Sequence, residues 1–561
     1  MPGPFSRKNP YTIILTTALL IQSTFSQAAD STLPASMVTA VDGYKTVPLL
    51  TIGETIGANG NSYSPPGSLD GIGAFQLTPN TIRVIVNHEL GDKAGYEYMI
   101  NNGRGKNFKM SGARISYLDI DKSSRKISRG GLAYDRIYDA NGAVVTGNEF
   151  LPDNAIGFSR FCSGSLFAAN SFHDKSGKPS GLRDTIYFAG EENGGKASPV
   201  GGDIWALDVN NKALWHIPAL GHGAWENIAL LDSGDSDRVA ILLNDDTAPF
   251  DVDDDGMNEM APLYLYIGKK DPAGDFPARN GLRGGSLYVW TSDTGEQSAM
   301  DFNTSGSLNG HWRRIDNRQN LNRSSQTGVT GYDKFGYPTQ RTLWKRASDA
   351  GAFGFSRPED VSTNPENAHA AAFVSTGIRS SEKDTFGTVY LVKTNFEDLS
   401  ATLTILYNGD SDPARALRSP DNVSWSKDGY IYIQEDMAVY KTKSGENLFG
   451  PNAINKNEAG IVQLDPRTGM IKRIANINRD VVLDASIDHP DSATDRLAGQ
   501  AGRWETSGIL DVSNLFEEKP GTLFLFDVQA HGIANQKFPS RIKYDDLVEG
   551  GQLLFLEKDK N

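Results

Sequence analysis

The chain has 561 residues, 38% hydrophobic and 22% charged, enough to bury a sizeable core and too apolar for a disordered chain. Acids outnumber bases, 69 to 55, and the formal net charge is −14, which argues against a protein that needs a basic face for a phosphate backbone; no nucleic-acid partner is expected. A single cysteine excludes an intramolecular disulfide.

The first expected element is a targeting peptide. Arg7 and Lys8 supply its positive end, Tyr11–Ile21 an apolar run shorter than a membrane span, and Ser26-Gln27-Ala28-Ala29 a small-residue cleavage site. Residues 1–29 are therefore read as a signal peptide rather than an anchor, and residues 30–561 as a single large domain. No other long apolar run follows, so the mature chain is expected to have no membrane span and to be periplasmic or extracellular.

Short runs rich in β-branched and aromatic residues then recur: Thr81–Val86, Asp184–Phe188, Val239–Leu243, Leu263–Ile267, Ser286–Trp290, Gly387–Val392 and Gly521–Phe526. Lys427-Asp428-Gly429 and Asp465-Pro466-Arg467-Thr468-Gly469 mark hairpins. Long amphipathic helices are few, and Asp545–Glu549 offers one helical turn at most. Such spacing predicts an all-β chain. A β-propeller of about six four-stranded blades fits the length, with a pair of β-sandwiches as the alternative. Long Gly/Asn/Asp-rich loops, Asn303–Gly336 among them, would decorate its rims. No repeat stands out.

The densest acidic stretch runs from Asp245 to Glu259. Asp251, Asp253 and Asp255 with Gly256 have the alternation of a calcium loop, and Glu259 follows; Pro262 stands where the closing bidentate Glu belongs, so this is an incomplete EF-hand read as a structural calcium loop. In Arg357-Pro358-Glu359-Asp360, proline holds Arg357 extended, so Arg357 and Glu359 face one side and Asp360 the other. A guanidinium beside a carboxylate suits a phosphate held next to a metal, although a surface ion pair is the commoner meaning. Glu191-Glu192 ends a strand, and only one of them can face a given site. Glu226 leads into an apolar run and needs a partner there. Asp421 opens the Asp-Gly hairpin and Glu435-Asp436 closes it, and either end could supply oxygen ligands; Glu505 precedes another strand, and Asn87-His88-Glu89 ends one. Cys162 is either a small buried hydrophobe or a thiolate ligand. Eight scattered histidines without HExxH spacing disfavour a zinc hydrolase, and no G-x-S-x-G is present.

In order, these pieces resemble the PhoX-type alkaline phosphatases, secreted β-propeller enzymes. The matching series is Val86-Asn87-His88-Glu89, Cys162-Ser163-Gly164, Gly190-Glu191-Glu192, Glu226-Asn227, Asn244-Asp245-Asp246 with Tyr264-Leu265-Tyr266, Arg357-Pro358-Glu359-Asp360, Ser419-Pro420-Asp421-Asn422, Glu505-Thr506-Ser507-Gly508, and Val528-Gln529 near His531-Gly532. The resemblance implies a ferric iron and calcium cofactor, Fe(III) and Ca2+, in the propeller channel, with a small phosphomonoester as substrate. By that analogy Cys162 is the iron-bridging thiolate. Glu191 or Glu192, Glu226 and Glu359 are carboxylate ligands, Asp421 and Glu505 serve the calcium side, and Arg357 grips the phosphate. Three features depart from the pattern: Arg7-Lys8 replaces a twin arginine, Asp251–Glu259 looks inserted, and His222 is displaced from Glu226. A calcium-only propeller hydrolase (phytase, phosphodiesterase or lactonase) and a non-enzymatic calcium-binding propeller are the rival readings.

Overall fold

The apolar runs form strands almost throughout, giving 45% strand and 7% helix. The computed structural model describes residues 1, 3, 35–57, 62–152, 155–198, 200–379, 383–437, 439–483, 495, 497, 499–533 and 544–559. The expected signal peptide lies outside them except for residues 1 and 3. Among the described residues no helix is long and apolar enough to cross a membrane.

Six strands line the centre: β1 (Leu69–Thr78), β2 (Phe161–Phe167), β3 (Trp225–Leu231), β4 (Pro358–Thr363), β5 (Pro420–Trp425) and β6 (Glu505–Asp511). Each packs beside the next, and β6 returns to β1, closing a ring. Antiparallel strands step outward from each. β1 and β6 begin four-stranded sheets, β2 and β5 five-stranded ones, and β3 and β4 are the two ends of a nine-stranded sheet. This is a β-propeller. Second strands such as Leu523–Ala530 are buried at every residue, because neighbouring sheets cover both faces. Outer strands alternate, as in Gly306–Ile315, where Leu308, Gly310 and Trp312 face inward.

That last strand corrects an expectation. Asn303–Gly336 is not one long loop: Gly306–Ile315 forms a ten-residue strand pairing with both Ser286–Ser292 and Ser400–Asn408, and so joins the two halves of the nine-stranded sheet. A helix, α1 (Gln340–Asp349), follows the rest of the insertion. Thr339 caps it by accepting from the Thr342 amide, and Gln340, Leu343, Trp344 and Ala347 are its buried face. Both expected hairpins form, with Gly429 and Gly469 at φ 91° and 71°.

The ring carries a repeat that spacing alone conceals. Every inner strand opens on one four-residue pattern: Ser68-Leu69-Asp70-Gly71, Arg160-Phe161-Cys162-Ser163, Ala224-Trp225-Glu226-Asn227, Arg357-Pro358-Glu359-Asp360, Ser419-Pro420-Asp421-Asn422 and Arg503-Trp504-Glu505-Thr506. The second residue is apolar or proline, the third an acid or the cysteine. In the first five, the register slips across the third and fourth residues, so two residues face one on the second strand. These bulges re-aim the third side chain into the channel. Ser68, Arg160, Arg357 and Ser419, first in their patterns, have left-handed φ of 50°, 52°, 62° and 45°. Such a backbone costs on the order of 1 kcal/mol or more at a non-glycine residue and needs surrounding structure to hold it.

Alternate sheets supply that support. Asn87, Asn244 and Gln434 lie opposite the bulges of β1, β3 and β5. The Asn87 amide donates to the carbonyls of Cys162 (2.9 Å) and Ser163 (3.0 Å), and Gln434 donates to the carbonyl of Ser507 at 3.1 Å. Asn244 donates to the carbonyls of Glu359 and Asp360. Each amide thus fixes the start of the next inner strand.

Candidate metal centre

The third residues of the patterns meet at one end of the channel. Donor atoms of Asp70, Glu89 and Cys162 lie within 4.8 Å of one another, as do those of Cys162, Glu192 and Glu226, of Glu226, Glu359 and Asp421, and of Asp421, Asp436 and Glu505. Consecutive groups share a member, so nine side chains form one chain of thiol and carboxylates. Cys162 Sγ is 3.4 Å from Asp70 Oδ2. The Gln529 amide donates to Asp70 Oδ2 (3.0 Å) and Glu89 Oε2 (3.1 Å).

These acids are buried against one another. Burial, followed by the charges of Glu89, Glu505 and Asp421, pushes Asp70 well above the ordinary carboxylate range. Burial likewise pushes Glu226, Glu359, Asp421 and Asp436 well up, and Glu89 to about 7. The Cys162 thiol is raised by burial and then by Asp70 and Glu226. Glu226 Oε1 is buried without a hydrogen-bond partner. Such a set is costly as anions unless cations sit among them. A thiolate among carboxylates suits iron, and the all-oxygen groups suit calcium.

Two guanidinium groups flank the cluster. Arg357 Nη2 is 2.5 Å from Asp246 Oδ2 and 3.4 Å from Glu359 Oε1. Arg357 is not extended as its proline neighbour suggested: its φ is 62°, and the bulge at Glu359 and Asp360, not plain alternation, sets their directions. Asp360 faces away, its carboxylate accepting from the Asn227 side chain (2.5 Å) and the Val423 amide (2.8 Å), stitching β3, β4 and β5 together. Asp246 is pushed to about 7 by burial, against the pull of Arg357. Its neighbour Asp245 points the other way, accepting from Gln340 and Trp344 of α1 and so anchoring that helix. Arg160 Nη2 lies 2.7 Å from Glu89 Oε1 and also pairs with Glu192.

Other expected residues lie elsewhere. Glu192 joins the cluster, whereas the Glu191 carboxylate accepts from the Ser159 amide (2.9 Å) and Trp205 Nε1 (3.1 Å) on the opposite side of the strand. Asp251, Asp253 and Asp255 form a separate, more exposed group. Glu259 turns back to its own loop, accepting from the Val252 amide at 3.0 Å. Lys345 and Arg341 pair with Asp253 and Asp254. His222 stands apart from the cluster, its Nε2 3.1 Å from Asp203 and 3.4 Å from Asp333. Sequence reasoning selected no role for Asp70, Glu89, Asp246 or Arg160, and weighed Asp436 only as an oxygen donor at the end of its hairpin. Glu89, Asp246 and Asp436 lay in motifs already singled out, each just after a second strand; Asp70 had no signal except the repeat.

The family model described as alkaline phosphatase PhoX matches residues 218–493. The chain belongs to the PhoX alkaline phosphatase family. PhoX of Pseudomonas fluorescens, solved with the transition-state analogue vanadate, has the same fold: TM-score 0.60 at 15% identity, covering 95% of this chain and 97% of that one. A GH43 β-1,3-galactosidase (11% identity, TM-score 0.30, 75% of this chain and 93% of that one) and a periplasmic gluconolactonase of Pseudomonas aeruginosa (10%, 0.28, 77% and 95%) are more distant. No curated protein matches in sequence. This PhoX protein is a phosphatase, and its buried thiol and carboxylates fit a family that depends on metals.

Proposed function

We propose that this PhoX protein is exported by its N-terminal signal peptide and hydrolyses phosphomonoesters at alkaline pH, using ferric iron and calcium. The observation that carries the reading is Cys162: a buried thiol within reach of Asp70, Glu89, Glu192 and Glu226, for which a calcium-only site has no use. Cys162, Glu192 and Glu226 would hold iron, with Asp70 and Glu89 beside them. Glu359, Asp421, Asp436 and Glu505 would hold calcium. When bound, the cations supply positive charge to the phosphoryl oxygens and activate the attacking oxygen.

The chain's own groups supply the rest. Arg357, anchored by Asp246 and Glu359, presents its remaining N–H groups to the phosphoryl oxygens and stabilises the charge that spreads over them in the in-line transition state. Burial of the ring excludes bulk water, which strengthens these interactions. Asp251, Asp253 and Asp255 are proposed as a separate structural calcium loop, without Glu259.

Elemental analysis of the natively exported protein, with p-nitrophenyl phosphate turnover, tests the reading. Iron and calcium together with turnover support it. Calcium and turnover without iron point to a calcium-only hydrolase instead. Cys162→Ser is expected to lose iron before calcium, and unchanged iron would refute the thiolate role.

A further inference from the structure

We propose that Arg160 is a second phosphate-binding guanidinium of this site, the counterpart of Arg357, and that the cleft it borders seats the leaving group of the ester. The proposal rests on the phosphatase reading above.

Arg160 and Arg357 are both the first residue of the repeated pattern, on β2 and β4, and both have left-handed backbones. Each sits two residues before a cluster member, Cys162 or Glu359. Each also pairs with the acid immediately after the strand that neighbours the preceding inner strand: Arg160 with Glu89, which follows Thr81–His88 beside β1, and Arg357 with Asp246, which follows Arg238–Asp245 beside β3. The two side chains therefore approach the cluster from either side of β3, whose Glu226 lies between. The pattern's third arginine, Arg503 on β6, is exposed. At its end of the cluster His531 takes the place beside Glu505, with Nε2 at 3.5 Å.

The Arg160 side chain is 45% exposed, against 21% for Arg357. It borders a cleft of about 760 Å³ together with Glu192, Asp246, Thr247, Pro249 and Phe250. The cleft meets the cluster at Glu192, and Lys196, Asp251, Asp254 and Arg341 also line it, so its surface mixes charged groups with Pro249 and Phe250. Glu89 and Glu192, the present partners of Arg160, are both cluster carboxylates. Arg160 Nε donates to the Glu192 carbonyl at 3.2 Å, so once the two carboxylates give their charge to cations it is the Nη hydrogens that are left for a ligand in the cleft Arg160 lines. A phosphoryl group seated there offers the oxygens that complete them, in the forked geometry guanidinium prefers.

The experiment compares Arg160→Gln, Arg160→Lys and Arg503→Gln in the metal-loaded protein. It measures iron and calcium per chain, inorganic phosphate affinity by calorimetry, and kcat and KM for p-nitrophenyl phosphate. Arg160→Gln should keep its metals, weaken phosphate binding by about tenfold or more and raise KM. Arg160→Lys should recover only part of that loss, and Arg503→Gln should match the wild type. Wild-type phosphate affinity in Arg160→Gln with full metal would overturn the proposal. So would loss of metal in Arg160→Gln, which would make Arg160 a holder of Glu89 and Glu192. Failure of the phosphatase reading is separate: the wild-type protein would then show neither phosphate binding nor turnover.

Discussion

The central ring and the Asp251 loop both crowd carboxylates together, and they resolve the crowding in opposite ways. In the loop, Asp251 accepts backbone N–H groups from Asp254, Asp255 and Gly256, which holds its pKa below the ordinary value, and Arg341 and Lys345 approach from α1. Solvent and local donors make that loop tolerable as it stands. In the ring, burial pushes Asp70, Glu226 and Glu359 up, and few donors reach them. The difference shows that density of acids says little by itself. A carboxylate that folding has taken out of water without giving it a donor signals a cation; one wrapped by its own turn does not require it.

The largest expected effect is at the ring. Glu359→Gln should cost more than about a thousandfold in kcat/KM and lower metal content, measured by turnover and elemental analysis. Full activity in that variant would remove Glu359 from the site. Stripping the metals with a chelator should lower the melting temperature by on the order of 10 °C, because tight ligands stabilise the state that binds them. Calorimetry with and without added iron and calcium checks this.

A smaller effect is expected one layer out. Asn244→Ala leaves the buried carbonyls of Glu359 and Asp360 without that donor and should cost about 1–3 kcal/mol in urea unfolding. The metal-free protein should also grow more stable as pH falls through about 7 towards 5. Glu89 and Asp246 are raised to about 7, so between their unfolded values and that pH the folded state binds more protons than the unfolded one. Stability then falls as pH rises, the reverse of what a salt-bridged carboxylate gives, and metal loading should flatten the slope. Urea midpoints at several pH values would reveal it. The smallest effect belongs to the loop: exchanging Asp251, Asp253 and Asp255 together for Asn should leave turnover within about twofold and remove about one calcium.

Much of the fold was legible because turn chemistry and strand composition are local. Lys427-Asp428-Gly429 specifies a hairpin whatever surrounds it. Gly306–Ile315 was not: its Gly, Ser and Asn resemble a loop, and only pairing on both edges makes it a strand. α1 had a readable cap at Thr339 and apolar spacing at 343, 344 and 347, overlooked because the flanking insertion is so polar. At the site, Cys162, Glu226 and Glu359 could be read through the family series. The choice between Glu191 and Glu192 needed the strand's orientation, and Asp70 needed the bulge that turns it inward. Four residues recurring at irregular intervals carry too little pattern to announce themselves without the ring that aligns them.

The innermost ring is closed from outside by its earliest strands. Val38–Ala40 completes the sheet that starts at β5, and Tyr44–Thr51 pairs with Gly550–Lys558 to finish the one that starts at β6. Gly550–Lys558 therefore has to find a partner, Tyr44–Thr51, that is very distant along the chain. Pairings of such separation form slowly, after most local structure. The donor atoms contributed by six distant segments can meet only once that clasp is fastened, so the chain is committed to finishing its circle before it can capture a cation cluster.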